Sequence, residues 1–447
     1  MSPRTAPRPT VPAHERLFRL WLGTGSPPIP LDRFLSEHVH PKRIPNEAER
    51  RGLTRRVTDV MRWGVLATLG DWLLERPGRR RLLAQGRLDE MLDQFATAVV
   101  EPSTFFHVWT NAPATTVFAW VGALSGESKA PQAMAEVIEQ MTAALATSAH
   151  PAAAALRVGV PPAWVPALQR RAALGLDVDA WLAAQNTPPP LWIRANRPAE
   201  ADTLVERLKA ERYRVEPTPA RAGSFAVKGQ DSLFVTPPFR EGLFEIQDLG
   251  SQLAGDAVEA RPGERIWDAC AGAGGKTLLL AAATDGKGAV LATDTLEYKL
   301  EALRKRVRRA EFSHVRVDRW DGGDLDRPHE ARAGFDAVLV DAPCTSAGTW
   351  RRNPDARLRF HPERLNETQR TQASLLSNAS AHVRPGGRLV YVTCSWLVEE
   401  NEDIVSEFLS RSPDFEHVRG ALLGPPSLDS DTFFVSVLRR RAGVAAS

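Results

Sequence analysis

The sequence contains little cysteine and no long apolar segment. Three cysteines occur among 447 residues, none in a Cys-x-x-Cys pair, which excludes a disulfide scaffold and makes a metal site unexpected. No apolar run approaches the roughly 20 residues that a membrane span needs, and the first residues lack the apolar core of a secretory signal. We therefore expect a globular, cytoplasmic and monomeric protein that binds neither metal nor membrane.

Net charge is also small, at +3, but it is unevenly distributed. Residues 1–100 carry 17 basic and 11 acidic side chains, a local +6, so the remaining residues sum to −3. A basic segment ahead of a nearly neutral one favours a polyanionic partner for the amino-terminal part. Solvated basic helices are common, however, and this chain length leaves room for two or three domains.

Composition and periodicity divide the chain into three parts. Residues 12–155 show helical spacing of apolar residues, accompanied by arginines that either meet phosphates or form an ordinary solvated face. Residues 160–240 predict a small α+β module, with strands near 192–194, 213–215 and 232–235. Residues 241–442 alternate strand and helix patterns, which predicts an α/β domain whose parallel sheet is covered on both faces. The helical stripe comprises Leu53, Val57, Val60, Met61, Leu69, Trp72 and Leu73.

Two thiols follow two predicted strands of the α/β domain. The apolar run 335–340 leads into Asp341-Ala342-Pro343-Cys344, and Cys394 follows the strand 389–393 in the same way. Ligands bind outside the carboxyl ends of strands in open α/β sheets, so these residues predict one active site. The alternative for each cysteine is a small buried side chain in the core.

A glycine-rich loop, Asp268–Thr277, follows the first predicted strand, 265–267. Cys270 occupies the position where a phosphate-binding P-loop needs its first glycine, and Thr277 replaces the third glycine of the dinucleotide fingerprint. Asp294 follows Gly274 by 20 residues, a position suited to ribose hydroxyls, and Asp321 follows the next strand, 315–317. A glycine loop and a ribose acid without a phosphate motif favour S-adenosylmethionine as the cofactor.

A pair of thiols suits methylation of a pyrimidine ring carbon. Carbon 5 of cytosine is a poor nucleophile, but attack of a thiolate at carbon 6 makes carbon 5 enamine-like. The thiolate needs a partly exposed, electropositive position, and a neighbouring acid can stabilise the base. One cysteine suffices for attack, and a second can assist release.

The chain resembles bacterial ribosomal-RNA cytosine-5 methyltransferases of the RsmB/Sun (NOL/NOP/Sun) family. The matching segments lie in order between residues 240 and 440: Gln247–Gln252, Asp268–Thr277, Asp341–Asp355, Pro385–Gly387, Val392–Ser395, Glu399–Glu402 and Phe433–Val435. The resemblance implies a Rossmann-like S-adenosylmethionine-dependent methyltransferase domain, preceded by the α+β module and an all-helical NusB-like RNA-binding domain. It also implies small-subunit ribosomal RNA as partner, with the target base flipped out of its stack.

The resemblance assigns roles to individual residues. Cys394 would be the nucleophile, Cys344 would assist product release, and Asp341 would meet both cofactor and base. Asp294 would bind the ribose and Asp321 would lie near the adenine. Ala273 stands where the family often has proline, which alters the stiffness of the loop. The loop residues implied to line the methionine side are Cys270, Ala271, Gly272, Ala273, Gly274, Gly275 and Lys276.

Other functions remain open at this point. The same chemistry would serve a transfer-RNA cytosine-5 methyltransferase, and the fold could persist in a catalytically silent RNA-binding assembly factor. The intact cysteines, Asp341 and glycine loop argue against the silent factor, and Cys270 argues against an NTP-dependent enzyme. Arg351 and Arg352 either contact an RNA backbone or form a charged surface turn.

Overall fold

The computed structural model describes residues 11–442 except 26, 100, 103, 230–231, 326–333 and 361. The chain forms two compact units. The helical unit comprises residues up to 186 together with 353–362, and the sheet unit comprises the remainder. None of the described helices is long and apolar enough to cross a membrane.

The helical unit is built around the long helix α3. Its helices are α1 (Ala13–Leu22), α2 (Leu31–His38), α3 (Glu47–Glu75), α4 (Pro77–Ala84), α5 (Leu88–Ala98), α6 (Thr104–Asn111), α7 (Ala114–Leu124), α8 (Gln132–Thr147), α9 (Pro151–Arg157), α10 (Val165–Ala172) and α11 (Val178–Ala184).

Helix α3 begins where the Asn46 side chain accepts a hydrogen bond from the backbone N–H of Glu49. Its predicted apolar stripe is buried apart from the half-buried Trp72, as the helical spacing requires. Gly64 and Gly70 lie under the rings of Trp109 and Trp120, where a Cβ atom would approach the ring carbons to 2.3 and 2.5 Å. Small residues on α3 therefore allow two indoles to pack directly against its backbone.

Residues 353–362 belong to the helical unit although they directly follow the thiol-bearing stretch. The buried Asp355 accepts a hydrogen bond from the backbone N–H of Leu31 at 3.1 Å and pairs with Arg359. The indole of Trp164 donates to the carbonyl of Arg357 at 2.7 Å. The Asp341–Asp355 stretch therefore divides at Asn353, and its last part has a packing role within the helices.

The small α+β module has a four-stranded antiparallel sheet in the order β2-β3-β1-β4. Residues 165–184, expected to belong to this module, form α10 and α11 of the helical unit, and the module's first strand begins at Leu191. Its elements are β1 (Leu191–Ala195), α12 (Ala201–Ala210), β2 (Arg214–Pro217), β3 (Ser224–Lys228), α13 (Pro237–Arg240) and β4 (Phe244–Ile246).

The strand predicted at 232–235 is wrong. Residues Leu233–Val235 form a 3₁₀ turn, and the hydroxyl of Thr236 caps the following helix by accepting from the N–H of Phe239. Pro237 and Pro238 follow this turn and occupy the first helical positions of α13, where their missing backbone donors cost nothing.

The larger sheet has seven strands in the order β10-β11-β9-β8-β5-β6-β7. Strands β9, β8, β5, β6 and β7 are parallel, while β11 and β10 are antiparallel additions at one edge. Its elements are α14 (Leu249–Asp256), β5 (Arg265–Asp268), α15 (Gly275–Thr284), β6 (Ala289–Asp294), α16 (Glu297–Arg309), β7 (Val315–Arg319), β8 (Phe335–Asp341), α17 (Pro362–Ser380), β9 (Val383–Thr393), α18 (Glu402–Arg411), β10 (Phe415–Leu423) and β11 (Phe433–Arg440).

The five predicted parallel strands and the final strand are confirmed, but β10 was missed. Its residues are mostly exposed, so it shows no apolar alternation. One face of the sheet packs against α14 and α15, and the other against α17 and α18. Strands β5 and β8 are neighbours although two strands separate them in sequence, which makes their carboxyl ends a topological switch point.

Candidate active site

The glycine loop lies at the carboxyl end of β5 and leads into α15. Gly274 adopts a φ of +90°, and a Cβ atom there would lie 2.1 Å from Cδ1 of Leu303. Gly272 has a φ of +56°, and a Cβ atom there would meet no other atom within 4 Å. The two glycines therefore serve different purposes. Gly274 leaves room for the side chain of Leu303 from α16, and Gly272 leaves the loop backbone uncovered by any side chain.

Asp294 fixes the same loop from the end of β6. One carboxylate oxygen accepts the N–H of Gly272 at 3.0 Å, and the other accepts the N–H of Leu296 at 2.9 Å. Asp321, beyond β7, is exposed, and its carboxylate accepts the N–H of Gly323. Asp294 is thus part of the loop's own structure, whereas the hydrogen bond of Asp321 closes a local turn.

A cavity of about 480 Å³ opens in front of the loop. Of the predicted cofactor residues, all but Gly274 line it, and Trp320 and Pro343 are among the other lining residues. Cys270 faces the cavity, and burial raises the pKa of its thiol well above the usual value. Cys270 therefore stays protonated.

Asp341 lies at the carboxyl end of β8, at the junction of the cavity and the thiols. The ammonium of Lys276, from the first turn of α15, lies 2.7 Å from one of its carboxylate oxygens. Lys276 is 6% exposed, so its charge is held in place by the wall of the cavity. This pair brings a fixed cation and an acid together at the switch point.

The thiols of Cys344 and Cys394 lie 3.3 Å apart at the ends of β8 and β9. The hydroxyl of Ser346 lies 3.7 Å from the sulfur of Cys394, and Ser346 adopts a left-handed φ of 59°. The hydrogen bond with Cys344 lowers the pKa of Cys394, assisted by Ser346 and Lys276. The same hydrogen bond, with burial, raises the pKa of Cys344. Cys394 is therefore the thiol that ionises more easily.

Two arginines behind the glycine loop were not identified from the sequence. Arg194 of β1 donates to the carbonyl of Gly275 at 3.2 Å and to the side chains of Gln247 and Asn196 at 2.8 Å. Arg306 of α16 donates to the carbonyl of Ala273 at 2.7 Å. Burial lowers the pKa of Arg194 to about 9, which still leaves it charged at neutral pH. An arginine within the apolar strand Trp192-Ile193-Arg194 was the available signal.

The alternative of a charged surface turn is wrong for Arg351, which is buried, and the expected RNA contact of Arg351 and Arg352 stays a prediction. Arg351 is 4% exposed and pairs with Asp429, and Arg352 pairs with Asp248 and Asp431. Through these ion pairs, their guanidinium groups link separate segments of the sheet unit.

Comparisons with known proteins find relatives of this chain. Residues 256–438 match the family model described as 16S rRNA methyltransferase RsmB/F. The chain is 32% identical over 271 residues to the ribosomal RNA small subunit methyltransferase B of Klebsiella pneumoniae (strain 342), covering 58% of this chain and 61% of that protein. Residues 256–438 are an RsmB/F methyltransferase domain. The chain spans about three fifths of the length of the curated relatives that it matches.

Solved structures extend the likeness of fold beyond the RsmB/F domain. The crystal structure of PH0851 aligns with a TM-score of 0.69 at 22% identity, covering 96% of this chain and 99% of that one. A methyltransferase homolog protein from Pyrococcus horikoshii aligns with a TM-score of 0.54 at 25% identity, covering 64% and 97%. At 22% identity, the likeness to PH0851 supports the fold alone.

S-adenosylmethionine is the cofactor of the RsmB/F domain, and the cavity fits it. The volume of about 480 Å³ lies within the roughly 300–1,000 Å³ of small-molecule sites. The bare backbone at Gly272 lets a ligand approach closely. The carboxylate of Asp294 lines the wall and retains lone pairs for hydroxyl donors.

Proposed function

We propose that this protein methylates carbon 5 of a cytosine in RNA through a covalent adduct between Cys394 and carbon 6. The observation that carries the proposal is the pair of thiols, 3.3 Å apart, beside a cavity suited to a sulfonium methyl donor. A single thiol would suffice for attack alone. A second thiol in contact with the first supports a mechanism that both makes and breaks a carbon–sulfur bond.

The thiolate of Cys394 attacks carbon 6, and the electron pair of the 5,6 double bond moves toward carbon 5. S-adenosylmethionine supplies the methyl group, as the electrophilic carbon of a sulfonium. Asp341 accepts a hydrogen bond from ring nitrogen 3 of the cytosine, which is protonated at that nitrogen as the thiolate adds, and Lys276 fixes the orientation of the carboxylate. These residues act by placing the ring between the attacking sulfur and the methyl donor.

Release reverses the first step. A base removes the proton from carbon 5, the double bond re-forms, and the bond between carbon 6 and the sulfur of Cys394 breaks. Cys344 assists this step, because its hydrogen bond stabilises the departing thiolate of Cys394. Cofactor contacts come from the loop residues Cys270–Lys276, with Asp294 at the ribose and Asp321 near the adenine.

The substrate class we propose is small-subunit ribosomal RNA. The relatives are named for that RNA, which supports the assignment. We propose that the helical unit, as a NusB-like domain, binds folded RNA through phosphate and shape contacts. The target cytosine leaves its stack to enter the site, because both faces of carbon 5 and carbon 6 must be reachable.

The test combines two cysteine variants with one exposed control. Cys394→Ala should abolish methyl transfer to RNA, while Cys344→Ala should accumulate a protein–RNA adduct that survives denaturing electrophoresis. Glu407→Gln, on an exposed ion pair of α18, should behave as wild type. Methylation at the wild-type rate by Cys394→Ala would contradict the mechanism. Loss of 5-methylcytosine from transfer RNA rather than ribosomal RNA in a deletion strain would contradict the proposed substrate.

A further inference from the structure

A fully buried carboxylate, Glu400, lies beside the two thiols in the 3₁₀ turn after β9 (Val398–Glu400). Among the residues that the structure describes, no lysine, arginine or histidine lies within ion-pair distance of it. A buried charge without a cation is costly, and such a group persists where hydrogen bonds satisfy it. Its hydrogen-bond partners therefore indicate which part of the site this carboxylate stabilises.

Those partners flank Cys344 on both sides. The backbone N–H and the hydroxyl of Thr345 donate to the two oxygens of Glu400, at 2.8 and 2.6 Å. The buried side-chain amide of Gln372 donates to Glu400 at 3.1 Å and to the carbonyl of Pro343 at 2.9 Å. Glu400 is thus the centre of a network that fixes the backbone directly before and after Cys344.

The next residue, Asn401, holds the other thiol in the same manner. Its side-chain oxygen accepts from the hydroxyl of Thr393 at 2.6 Å, and its amide donates to the carbonyl of Ser395 at 3.0 Å. Thr393 and Ser395 are the immediate neighbours of Cys394. Two consecutive buried side chains therefore set the positions of both sulfurs.

The charges around the two sulfurs are unequal. Glu400 faces Cys344 and Tyr391, whose hydroxyl donates to the Glu400 carbonyl at 2.7 Å. Lys276 and Ser346 face Cys394 and favour its thiolate, while Asp341 opposes it. The contact with Cys394, burial and the negative charge of Glu400 together raise the pKa of Cys344. Cys344 and Cys394 are both half-buried residues, so burial alone does not distinguish their thiols.

We propose that Glu400 is a positioning residue that makes the two thiols unequal. It fixes the backbone on both sides of Cys344 through Thr345 and Gln372, and its carboxylate places negative charge next to that loop, which disfavours a Cys344 thiolate. This inference rests on the proposed function, in which Cys394 attacks and Cys344 assists. It gives the Glu399–Glu402 segment, noted in the sequence only as a matching motif, a chemical role.

The experiment measures alkylation of each cysteine by iodoacetamide as a function of pH in RNA-free protein, with peptide mass spectrometry as the readout. In the wild type, Cys394 should react faster than Cys344 at neutral pH. Glu400→Gln removes the charge and keeps the shape, so the Cys344 profile should move to lower pH. Each unit of that shift raises its rate at a fixed pH about tenfold. Glu407→Gln should match the wild type.

An unchanged Cys344 profile in Glu400→Gln would overturn the proposal. A wild-type protein in which Cys344 is the faster thiol at neutral pH would also overturn it, and that result needs no variant to fold. Neither outcome depends on methyl transfer. If the thiols are unequal as described but Cys394→Ala still methylates RNA, the proposed function fails while the role of Glu400 in setting thiol ionisation stands.

Discussion

The sulfur atoms of Cys344 and Cys394 lie 3.3 Å apart, although 50 residues separate them in sequence. Parallel pairing of β8 with β9 brings them together, because Asp341 and Val392 are in register and each thiol follows its strand within three residues. A hydrogen bond between two thiols has a direction. One sulfur donates and keeps its proton, and the other accepts and ionises more easily.

Replacing Cys344 should therefore change the pKa of Cys394. In Cys344→Ala the hydrogen bond that lowers the pKa of Cys394 is lost, so that pKa should rise. Thiolate reactivity grows as pH rises through the pKa, and the alkylation profile of Cys394 should move to higher pH. Iodoacetamide labelling of RNA-free protein measures this shift. Cys344→Ser, which retains a donor, should shift the profile less, and equal shifts in the two variants would contradict the role of the hydrogen bond.

Asp268 should make the stability of the sheet unit depend on pH. Burial raises its pKa to about 7 from an ordinary value of 3.8, and one of its oxygens has no partner among the described residues. Between these values the folded chain holds a proton that the unfolded chain has released. Stability from this group is therefore present at low pH, declines as pH rises from about 4, and is lost above about 7.

Asp268→Asn removes the titration and keeps an acceptor for the hydroxyl of Thr277. The free energy of unfolding of the variant should exceed that of wild type, and this excess should be about 1–3 kcal/mol larger at pH 8 than at pH 5. Urea unfolding followed by tryptophan fluorescence measures the difference. Asp285→Asn, at the exposed end of α15, should show no such dependence on pH. A larger gain at pH 5 than at pH 8 would contradict the direction of the pKa shift.

The strand ends that carry the chemistry could be predicted from the sequence because each follows an apolar run. Val338 and Val340 on β8 and Val390 and Val392 on β9 are buried, and the polar residues come directly after them. Parallel pairing then places such residues at one edge of the sheet. The structure confirms that a glycine loop, an acid and two thiols lie at that edge of the sheet. Their chemical roles remain predictions.

The supporting residues could not be predicted because their partners are distant in sequence. Arg194 reaches Gly275 across 81 residues, and Glu400 reaches Thr345 across 55. No local pattern marks either contact. The ion pairs of Arg351 and Arg352 could not be predicted for the same reason, because their carboxylate partners are 78 and 104 residues away in sequence.

The two glycines of the cofactor loop should respond differently to alanine. Gly274→Ala combines an unfavourable left-handed φ, about 1–2 kcal/mol, with a 2.1 Å approach to Leu303. Gly272→Ala meets only the backbone cost and open space. Thermal unfolding should show Gly274→Ala as the less stable variant. Adding Leu303→Ala removes the obstructing side chain, so the double variant should lose less than the sum of the two single losses; strictly additive losses would contradict the steric account.

Arg194 should control cofactor affinity without contacting the cofactor. Its guanidinium satisfies Gln247, Asn196 and the carbonyl of Gly275 at once, so Arg194→Met leaves three acceptors without their donor. The loop should lose its fixed shape, and the dissociation constant for S-adenosylhomocysteine should rise about tenfold or more. Isothermal titration measures this directly, with RNA absent.

The control for Arg194 lies three residues further along the chain. Arg197 pairs with Glu311 at the surface, where an ion pair contributes little, so Arg197→Met should bind the cofactor product as wild type does. Arg194→Lys keeps the charge but lacks the planar set of donors, and it should bind more weakly than wild type. Wild-type affinity in Arg194→Met would mean that Asp294 and Arg306 hold the loop by themselves, because these are the other side chains bonded to its backbone at Gly272 and Ala273.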